Sequence, residues 1–209
     1  MIRRLLARAY LRSIGWTLHG TPPDRDHIGV LLAAPHTANL DFPIMIATAW
    51  ANDLRPKFLA KKELFHGPAK YFWTLAGGIP TDRKDPGTLI EDLVRRARSQ
   101  EAFMLVIAPE GTRKLSKGWK SGFYRIAQEA DIPVTACSVD GTVKEIWFGP
   151  TLHLTGDVRA DMDVIRAFYV DKRGVDPSKA SPVRLAAEDA AAVPDSDADP
   201  DERPTALGA

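Results

Sequence analysis

The chain has 209 residues, of which 44% are hydrophobic and 26% charged, a balance typical of one soluble globular domain with a buried core. Its single cysteine, Cys137, excludes an intrachain disulfide, and the spacing of Cys and His predicts no metal site. The net charge is +1, but residues 186–209 carry seven acidic residues against one arginine, so the preceding 185 residues carry +7. A basic body favours anionic partners such as phosphate esters, CoA-like molecules or an anionic membrane surface.

Residues 1–20 predict an amphipathic helix. Apolar side chains recur there at helical spacing, with four arginines at other positions (Ile2, Leu5, Leu6, Ala9 and Tyr10; Arg3, Arg4, Arg8 and Arg12). Two interpretations are open: a helix that lies in a membrane interface, or a helix packed on the domain with its arginines solvated. No run approaches the ~20 apolar residues that a membrane-spanning helix needs.

The body of the chain alternates between strand-like and helix-like segments. Apolar runs typical of strands occur at 27–35, 56–62, 102–109, 132–139, 142–149 and 151–156, and helical patterns at 41–53, 67–78, 86–100, 119–130 and 161–173. This alternation predicts an α/β domain over residues 21–175, with a largely parallel sheet flanked by helices. Residues 176–209 are predicted to form a disordered acidic tail, because they offer little apolar surface to bury.

Polar clusters follow three of the predicted strands. His36 follows the first strand, Lys61 and Lys62 end the second, and the loop "PEGTR" (109–113) follows a later buried strand. Ligands of open α/β sheets bind beyond the carboxyl ends of strands, so we expect these clusters to meet at one edge of the sheet.

His36 and Asp41 are five residues apart in "HTANLD". An aspartate that holds one nitrogen of an imidazole leaves the other nitrogen to act as a base. This loop contains no serine or cysteine nucleophile, so such a pair would activate a hydroxyl on a substrate. The alternative, which spacing by itself favours, is that Asp41 is the N-cap of the next helix and His36 merely ends a strand.

Two loops contain residue types that commonly bind a phosphate group. "GGIPTDRK" (77–84) contains Arg83, and "APEGTRK" (108–114) contains Gly111, Thr112 and Arg113. Arginine forks, backbone N–H groups at a glycine and a hydroxyl bind phosphate well. Glu110 is expected to bond a ligand hydroxyl or to orient an arginine. Taken singly, each loop is equally typical of an ordinary surface loop with salt bridges.

Together these motifs resemble the glycerophospholipid acyltransferase family, the family of 1-acylglycerol-3-phosphate acyltransferases. The order is His-x4-Asp, Gly-x-Ile-Pro-x-x-Arg, Pro-Glu-Gly-Thr-Arg and an Ile-Pro-Val strand, spread over Val30 to Val134. The longer strings "HTANLDFP" and "WKSGFYRIA" are similar to a short bacterial branch of the family. Departures from the common pattern are Pro35, Thr81 and Ala108; the first two leave the histidine and aspartate intact but affect which acceptor is expected.

The resemblance implies a glycerol-3-phosphate acyltransferase-like fold and a set of roles. His36 would deprotonate the acceptor hydroxyl and Asp41 would orient it. The phosphate of the acceptor would be bound by the second and third motifs (Arg83, Glu110, Gly111, Thr112 and Arg113). Ile132, Pro133 and Val134 are weaker candidates for the acyl-donor side, and Lys61, Lys62 and Lys120 for auxiliary cations. Lysines such as Lys61, Lys62 and Lys120 are more commonly solvated surface residues without a binding role.

The expected activity is O-acyl transfer from acyl-CoA or acyl carrier protein to a hydroxyl of a lysophosphatidic-acid-like acceptor, without a metal or other cofactor. Expected partners are the donor, the phospholipid-like acceptor and a membrane surface, but no nucleic acid. The expected location is cytoplasmic, on the inner face of the cell membrane. Two alternatives stay open on the same fold: a non-catalytic phospholipid-binding protein, and a hydrolase that uses His36 to activate water.

Overall fold

A seven-stranded sheet organises the residues that the structure, a computed structural model, describes: 2–81, 86–99 and 102–190. The strands are β1 (Thr17–His19), β2 (Gly29–Ala34), β3 (Pro56–Lys61), β4 (Gly78–Thr81), β5 (Met104–Ile107), β6 (Val134–Asp140) and β7 (Glu145–Leu152). Their order across the sheet is β1-β7-β6-β2-β5-β3-β4. The five strands from β6 to β4 are mutually parallel, whereas β7 is antiparallel to β6 and β1 is parallel to β7. The predicted, largely parallel sheet is therefore confirmed.

Helices cover both faces of this sheet. They are α1 (Ile2–Ser13), α2 (Asp41–Ala51), α3 (Ala69–Ala76), α4 (Pro86–Arg98), α5 (Gly122–Ala130), α6 (Val158–Tyr169) and α7 (Ala187–Ala190), with 3₁₀ turns at Lys62–Phe65 and Pro177–Lys179. One core cluster contains side chains of α1, α2 and α3, and the other those of α4, α5 and α6. Successive residues of a strand point to opposite faces, so Leu31 joins the first cluster and Leu32 the second. Burial on both faces explains the continuous apolar runs of the strands.

Helix α3 ends where the sequence predicts, at a glycine. Gly77 has φ +98°, and a Cβ on it would lie 1.8 Å from the carbonyl oxygen of Pro56. A side chain at this position would meet both backbone strain and a backbone clash. The chain can therefore turn directly from α3 into β4.

The structure corrects three features of the predicted organisation. The short strands β1 and β4 lie in segments that the sequence did not mark as strands, and the two predicted late strands are replaced by one strand, β7. The predicted tail begins too early, because Leu185 is only 1% exposed and forms an isolated parallel bridge with Trp119. The remainder of that predicted tail, residues 191–209, lies outside the described residues.

Helix α1 combines the two interpretations of the N-terminal segment. Ala7 and Leu11 are buried in the core cluster shared with α2. The larger apolar side chains of Ile2, Leu5 and Leu6 instead remain 74%, 61% and 65% exposed. None of the helices in the described part of the chain is both long and apolar enough to cross a membrane.

Candidate active site

A turn at the carboxyl end of β2 brings His36 and Asp41 together. Strand β2 ends at Ala34, a cis peptide bond joins it to Pro35, and α2 begins at Asp41. Residues 35–40 are here called the His36 turn. It places Nδ1 of His36 2.9 Å from Oδ2 of Asp41, so the two side chains form a hydrogen-bonded pair although spacing by itself favoured the alternative.

The carboxylate of Asp41 organises this turn. Besides the His36 ring, its Oδ2 accepts the backbone N–H groups of Thr37 at 2.8 Å and Ala38 at 2.9 Å. The predicted N-cap role is wrong: Leu40 occupies the N-cap position, and Asp41 is the first residue of α2. Its side chain points back to the preceding turn, because that is where the unpaired N–H groups and the imidazole lie. The positive end of the helix dipole favours its charge there.

The contact with Asp41 fixes the tautomer of His36. A carboxylate only accepts hydrogen bonds, so Nδ1 of His36 carries the proton and donates it. Nε2 of the neutral ring then has a free lone pair and makes no hydrogen bond to the described residues. The His36 side chain is 23% exposed, so this nitrogen is accessible to a ligand. The arrangement is that of a base and its orienting carboxylate.

Glu110 supports the His36 turn from the neighbouring strand. Strand β5 pairs with β2, and the loop that follows β5 carries Glu110 to the turn. Its Oε1 accepts the backbone N–H of His36 at 3.0 Å, and the residue is 2% exposed. Burial raises the pKa of this carboxyl, and the hydrogen bond from His36 offsets only part of that rise. Glu110 is thus buried against the His36 turn, and the phosphate contact that the resemblance implies for it stays a prediction.

Gly111 and Lys120 shape the same loop, residues 108–114. The N–H of Gly111 already donates to the carbonyl oxygen of Ala108 at 3.0 Å, so it is not free for an anion. Its φ is +65°, and a Cβ would come within 2.9–3.0 Å of the Lys120 side chain. The absence of a side chain at Gly111 therefore lets Lys120 lie across the loop. The N–H of Lys120 also donates to the carbonyl oxygen of Pro109 at 2.8 Å.

Cationic side chains follow the sheet edge away from His36. Adjacent strands are ~4.8 Å apart, so β5, β3 and β4 lie about 5, 10 and 14 Å from β2. Two of these cations, Arg113 and Lys120, follow β5, and two others, Lys61 and Lys62, lie at the end of β3. All four side chains are exposed, and none forms an ion pair with a described residue. Thr112 lies in the same loop, and its Oγ1 accepts the N–H of Lys114. Arg83, which follows β4, lies outside the described residues.

Three predicted site residues are not brought to this edge. Val134 begins β6 and pairs with Val30, whereas the His36 edge lies beyond Ala34. Val30 and Ala34 are four residues apart along β2, which corresponds to about 13 Å. Ile132 and Val134 are buried in the core, and the carbonyl oxygen of Pro133 accepts the N–H of Val30. Their surroundings are those of core residues at the opposite edge.

Sequence reasoning missed Thr37. It is 2% exposed, and its Oγ1 accepts the N–H groups of Val175 and Asp176, each at 3.0 Å. A threonine in a turn often accepts nearby backbone N–H groups, but these donors are 138 and 139 residues away. Nothing in the local sequence points to them. Among the described residues, no group of three His, Cys, Asp or Glu could hold a metal ion.

Comparisons with known proteins bear on the fold and the family of the chain. No curated protein matches the chain. Among solved structures, it is similar to the crystal structure of the 1-acyl-sn-glycerophosphate (LPA) acyltransferase PlsC from Thermotoga maritima, with a TM-score of 0.56 and 15% identity. The match covers 81% of this chain and 78% of that one, and at this identity it shows a shared fold. The family model named Acyltransferase matches residues 16–140, more than half of the chain and including the His36 turn and the 108–114 loop. The protein therefore belongs to the Acyltransferase family.

Proposed function

We propose that the protein transfers a fatty acyl group from a thioester donor, acyl-CoA or acyl carrier protein, to a hydroxyl of a lysophosphatidic-acid-like acceptor. The observation that carries this proposal is the 2.9 Å contact between His36 and Asp41, which leaves Nε2 of His36 free at a basic edge of the sheet. A base with a free lone pair, at the same sheet edge as cations that form no ion pair with the described residues, suits an acceptor that has both a hydroxyl and a phosphate.

His36 acts on the acceptor hydroxyl. Its Nε2 takes the hydroxyl proton as the oxygen attacks the thioester carbonyl, and Asp41 stabilises the imidazolium that forms. The tetrahedral intermediate then collapses, the carbon–sulfur bond breaks, and the leaving thiolate takes the proton from Nε2. The ester and the free thiol are the products, and His36 returns to its neutral tautomer.

The cations of the edge anchor the acceptor phosphate. Arg113 and Lys120 follow β5, the strand next to β2, and Lys61 and Lys62 extend the positive surface toward β4. Arg83 is added from the family resemblance alone. Holding the phosphate fixes the acceptor hydroxyl relative to Nε2, which converts binding energy into positioning.

The proposed place of action is the inner face of the cell membrane, with the protein bound peripherally from the cytoplasm. The exposed apolar side chains of α1, flanked by Arg3, Arg4 and Arg12, are typical of a helix that lies in an anionic interface. Such a location would present the site to lipid acceptors.

The first test measures thiol release and ester formation with acyl-CoA and acyl carrier protein against a panel of lysophospholipids. His36→Ala should lower kcat by roughly 10²–10⁴, the usual contribution of a positioned general base. His153→Ala is the matched control, because His153 is exposed and lies after β7. Turnover by His36→Ala at the parent rate would remove the assigned base.

The same assay distinguishes the alternative functions. The exposure of His36 specifically favours one of them, hydrolysis, because water can reach Nε2. Thiol release that proceeds equally fast without any acceptor would identify a thioester hydrolase. Vesicle binding without turnover on any acceptor would identify a lipid-binding protein.

A second prediction concerns the phosphate. Arg113→Ala should raise the KM for a phosphate-bearing acceptor by roughly ten- to hundredfold, the equivalent of a charge-assisted hydrogen bond worth about 1.5–3 kcal/mol. Arg125→Ala is the control, because Arg125 lies on α5 and pairs with Glu129. An unchanged acceptor KM in Arg113→Ala would remove the assignment of Arg113.

A further inference from the structure

Residues 173–185, here called the C-terminal strap, follow α6 and lie beyond the 16–140 region that matches the family model. The strap contacts the His36 turn through Thr37, whose Oγ1 accepts the N–H groups of Val175 and Asp176. The N–H of the same threonine donates to Asp41 at 2.8 Å. Thr37 is thus bonded on one side to the carboxylate that orients His36 and on the other to the strap.

The start of the strap is held at the end of β6. The N–H of Arg173 donates to Oδ2 of Asp140 at 2.8 Å, and the N–H of Gly141 donates to the carbonyl oxygen of Gly174 at 3.0 Å. Gly174 has φ +74°, and a Cβ on it would lie 3.0 Å from Oγ1 of Thr37. A side chain at residue 174 would combine backbone strain with a tight contact to Thr37, so glycine favours this close approach of the strap.

The far end of the strap contacts the segment that follows the 108–114 loop. The N–H of Ser116 donates to Oγ of Ser181 at 3.0 Å, and the hydroxyl oxygens of the two serines are 2.9 Å apart, within hydrogen-bond distance. The N–H of Trp119 donates to the carbonyl oxygen of Arg184 at 2.8 Å, and Leu185 is buried in the core. Trp119 directly precedes Lys120, which lies across Gly111. This end therefore holds residues 116–119, which connect the 108–114 loop to Lys120.

We infer that the C-terminal strap is a positioning element of the acyltransferase site, acting through Thr37 of the His36 turn and Ser181 of the strap as positioning residues. It links the turn that carries the proposed base to the loop that carries the proposed phosphate cations. The inference rests on the proposed function. Its physical basis is that a misplacement of about 1 Å between a base and a bound substrate can cost 10²-fold in rate.

The first experiment replaces the hydroxyl of Thr37. Thr37→Val keeps the shape of the side chain but removes the acceptor of two backbone N–H groups, so kcat should fall roughly ten- to hundredfold. Thr37→Ser keeps the acceptor and should restore most of kcat. Thr48→Val is the matched control, because Thr48 is also buried and its hydroxyl has no hydrogen-bond partner among the described residues. Equal kcat in Thr37→Val and Thr48→Val would overturn the role of Thr37.

The second experiment replaces the hydroxyl of Ser181. Ser181→Ala should raise the acceptor KM several-fold and speed amide hydrogen exchange at residues 116–120, with little change in kcat. Ser178→Ala is the control, because among the described residues the Ser178 hydroxyl bonds to Asp176 alone, within the strap itself. An acceptor KM and an exchange rate equal to those of Ser178→Ala would overturn the role of Ser181.

A spectroscopic measurement separates this inference from the proposed function. The imidazole signals of His36, assigned by their loss in His36→Ala, should shift in Thr37→Val but not in Thr48→Val. If the parent transfers no acyl group, the proposed function fails, and a shift of these signals still supports the contact between strap and His36. Unchanged His36 signals in Thr37→Val would overturn the inference whatever the activity of the parent.

Discussion

Glu110 is the residue whose surroundings say most about the site. Its carboxyl is buried, and one oxygen accepts the N–H of His36 while Oε2 has no partner among the described residues. A buried carboxylate with an unpaired oxygen is costly, and burial raises its pKa accordingly. These surroundings favour a role in which Glu110 supports the His36 turn. They do not favour direct binding of a phosphate, because a charged carboxylate would repel the phosphate.

Substitution of Glu110 distinguishes these roles. Glu110→Gln keeps an acceptor oxygen for the N–H of His36, so kcat should stay within a few-fold and the acceptor KM should not change. Glu110→Ala leaves that N–H unpaired and should lower the free energy of unfolding by about 1–3 kcal/mol, with a fall in kcat. Thermal unfolding and steady-state kinetics measure both effects.

The exposed Glu63 supplies the control. Glu63→Gln should change neither quantity. A large rise in the acceptor KM of Glu110→Gln, with kcat intact, would show that Glu110 contacts the substrate after all.

At the scale of elements, α1 and α3 expose apolar side chains on the same side of the sheet. Both helices join one core cluster, with Ala7 and Leu11 from α1 and Ala76 from α3. Outward, α1 presents Ile2, Leu5 and Leu6, and α3 presents large apolar side chains of its own (Tyr71, Phe72 and Leu75). Exposed apolar patches with arginines and lysines nearby are typical of surfaces that bind anionic membranes.

This surface predicts binding to vesicles that contain an anionic phospholipid. Substituting Leu5 and Leu6 by Gln should weaken partitioning at least tenfold, because a buried Leu side chain contributes about 1.5–3 kcal/mol. Phe72→Ser should weaken it by a smaller factor, and added salt should weaken binding of every variant. Co-sedimentation with phosphatidylserine-containing vesicles measures the effect.

Val164→Gln is the matched control for these substitutions. Val164 is also exposed, but it lies on α6, on the other face of the sheet. A loss of binding in Val164→Gln as large as that in the α1 variant would contradict the assigned surface.

At the scale of the whole molecule, the features that could be predicted from the sequence are those that depend on local residue patterns and on the order of motifs. The parallel sheet follows from the alternation of apolar runs and amphipathic helices, and the family follows from the ordered motifs; both are confirmed. Strands β1 and β4 have three and four residues, and they are strands because of their pairing with β7 and β3. The contacts of Thr37 and Leu185 likewise depend on segments far away in the chain, which no local pattern encodes.

The stability of the whole molecule should depend on pH through Glu110. Its pKa in the folded state is raised above the usual 4.5, so the folded protein binds more protons than the unfolded chain between these two values. The contribution of Glu110 to the free energy of unfolding is therefore greatest below pH 4.5 and is lost as pH rises through the folded pKa. The free energy of unfolding falls over this interval by at most about 1.4 kcal/mol per pH unit.

Comparing the parent with Glu110→Gln isolates this contribution, because Gln does not titrate. The contributions of other titratable groups cancel in the difference because both variants share them. Asp161 is an example: burial raises the pKa of its carboxyl, but hydrogen bonds from Tyr124 and Thr155 outweigh that effect and leave the pKa lowered. Urea unfolding from pH 4 to pH 8 should show the parent losing stability relative to Glu110→Gln as pH rises, followed by a plateau. A difference that is constant over this range would mean that folding does not raise the pKa of Glu110. A difference that grows in favour of the parent would mean that the charged form of Glu110 has a stabilising partner, and a cation such as Lys120 would then be the group to test.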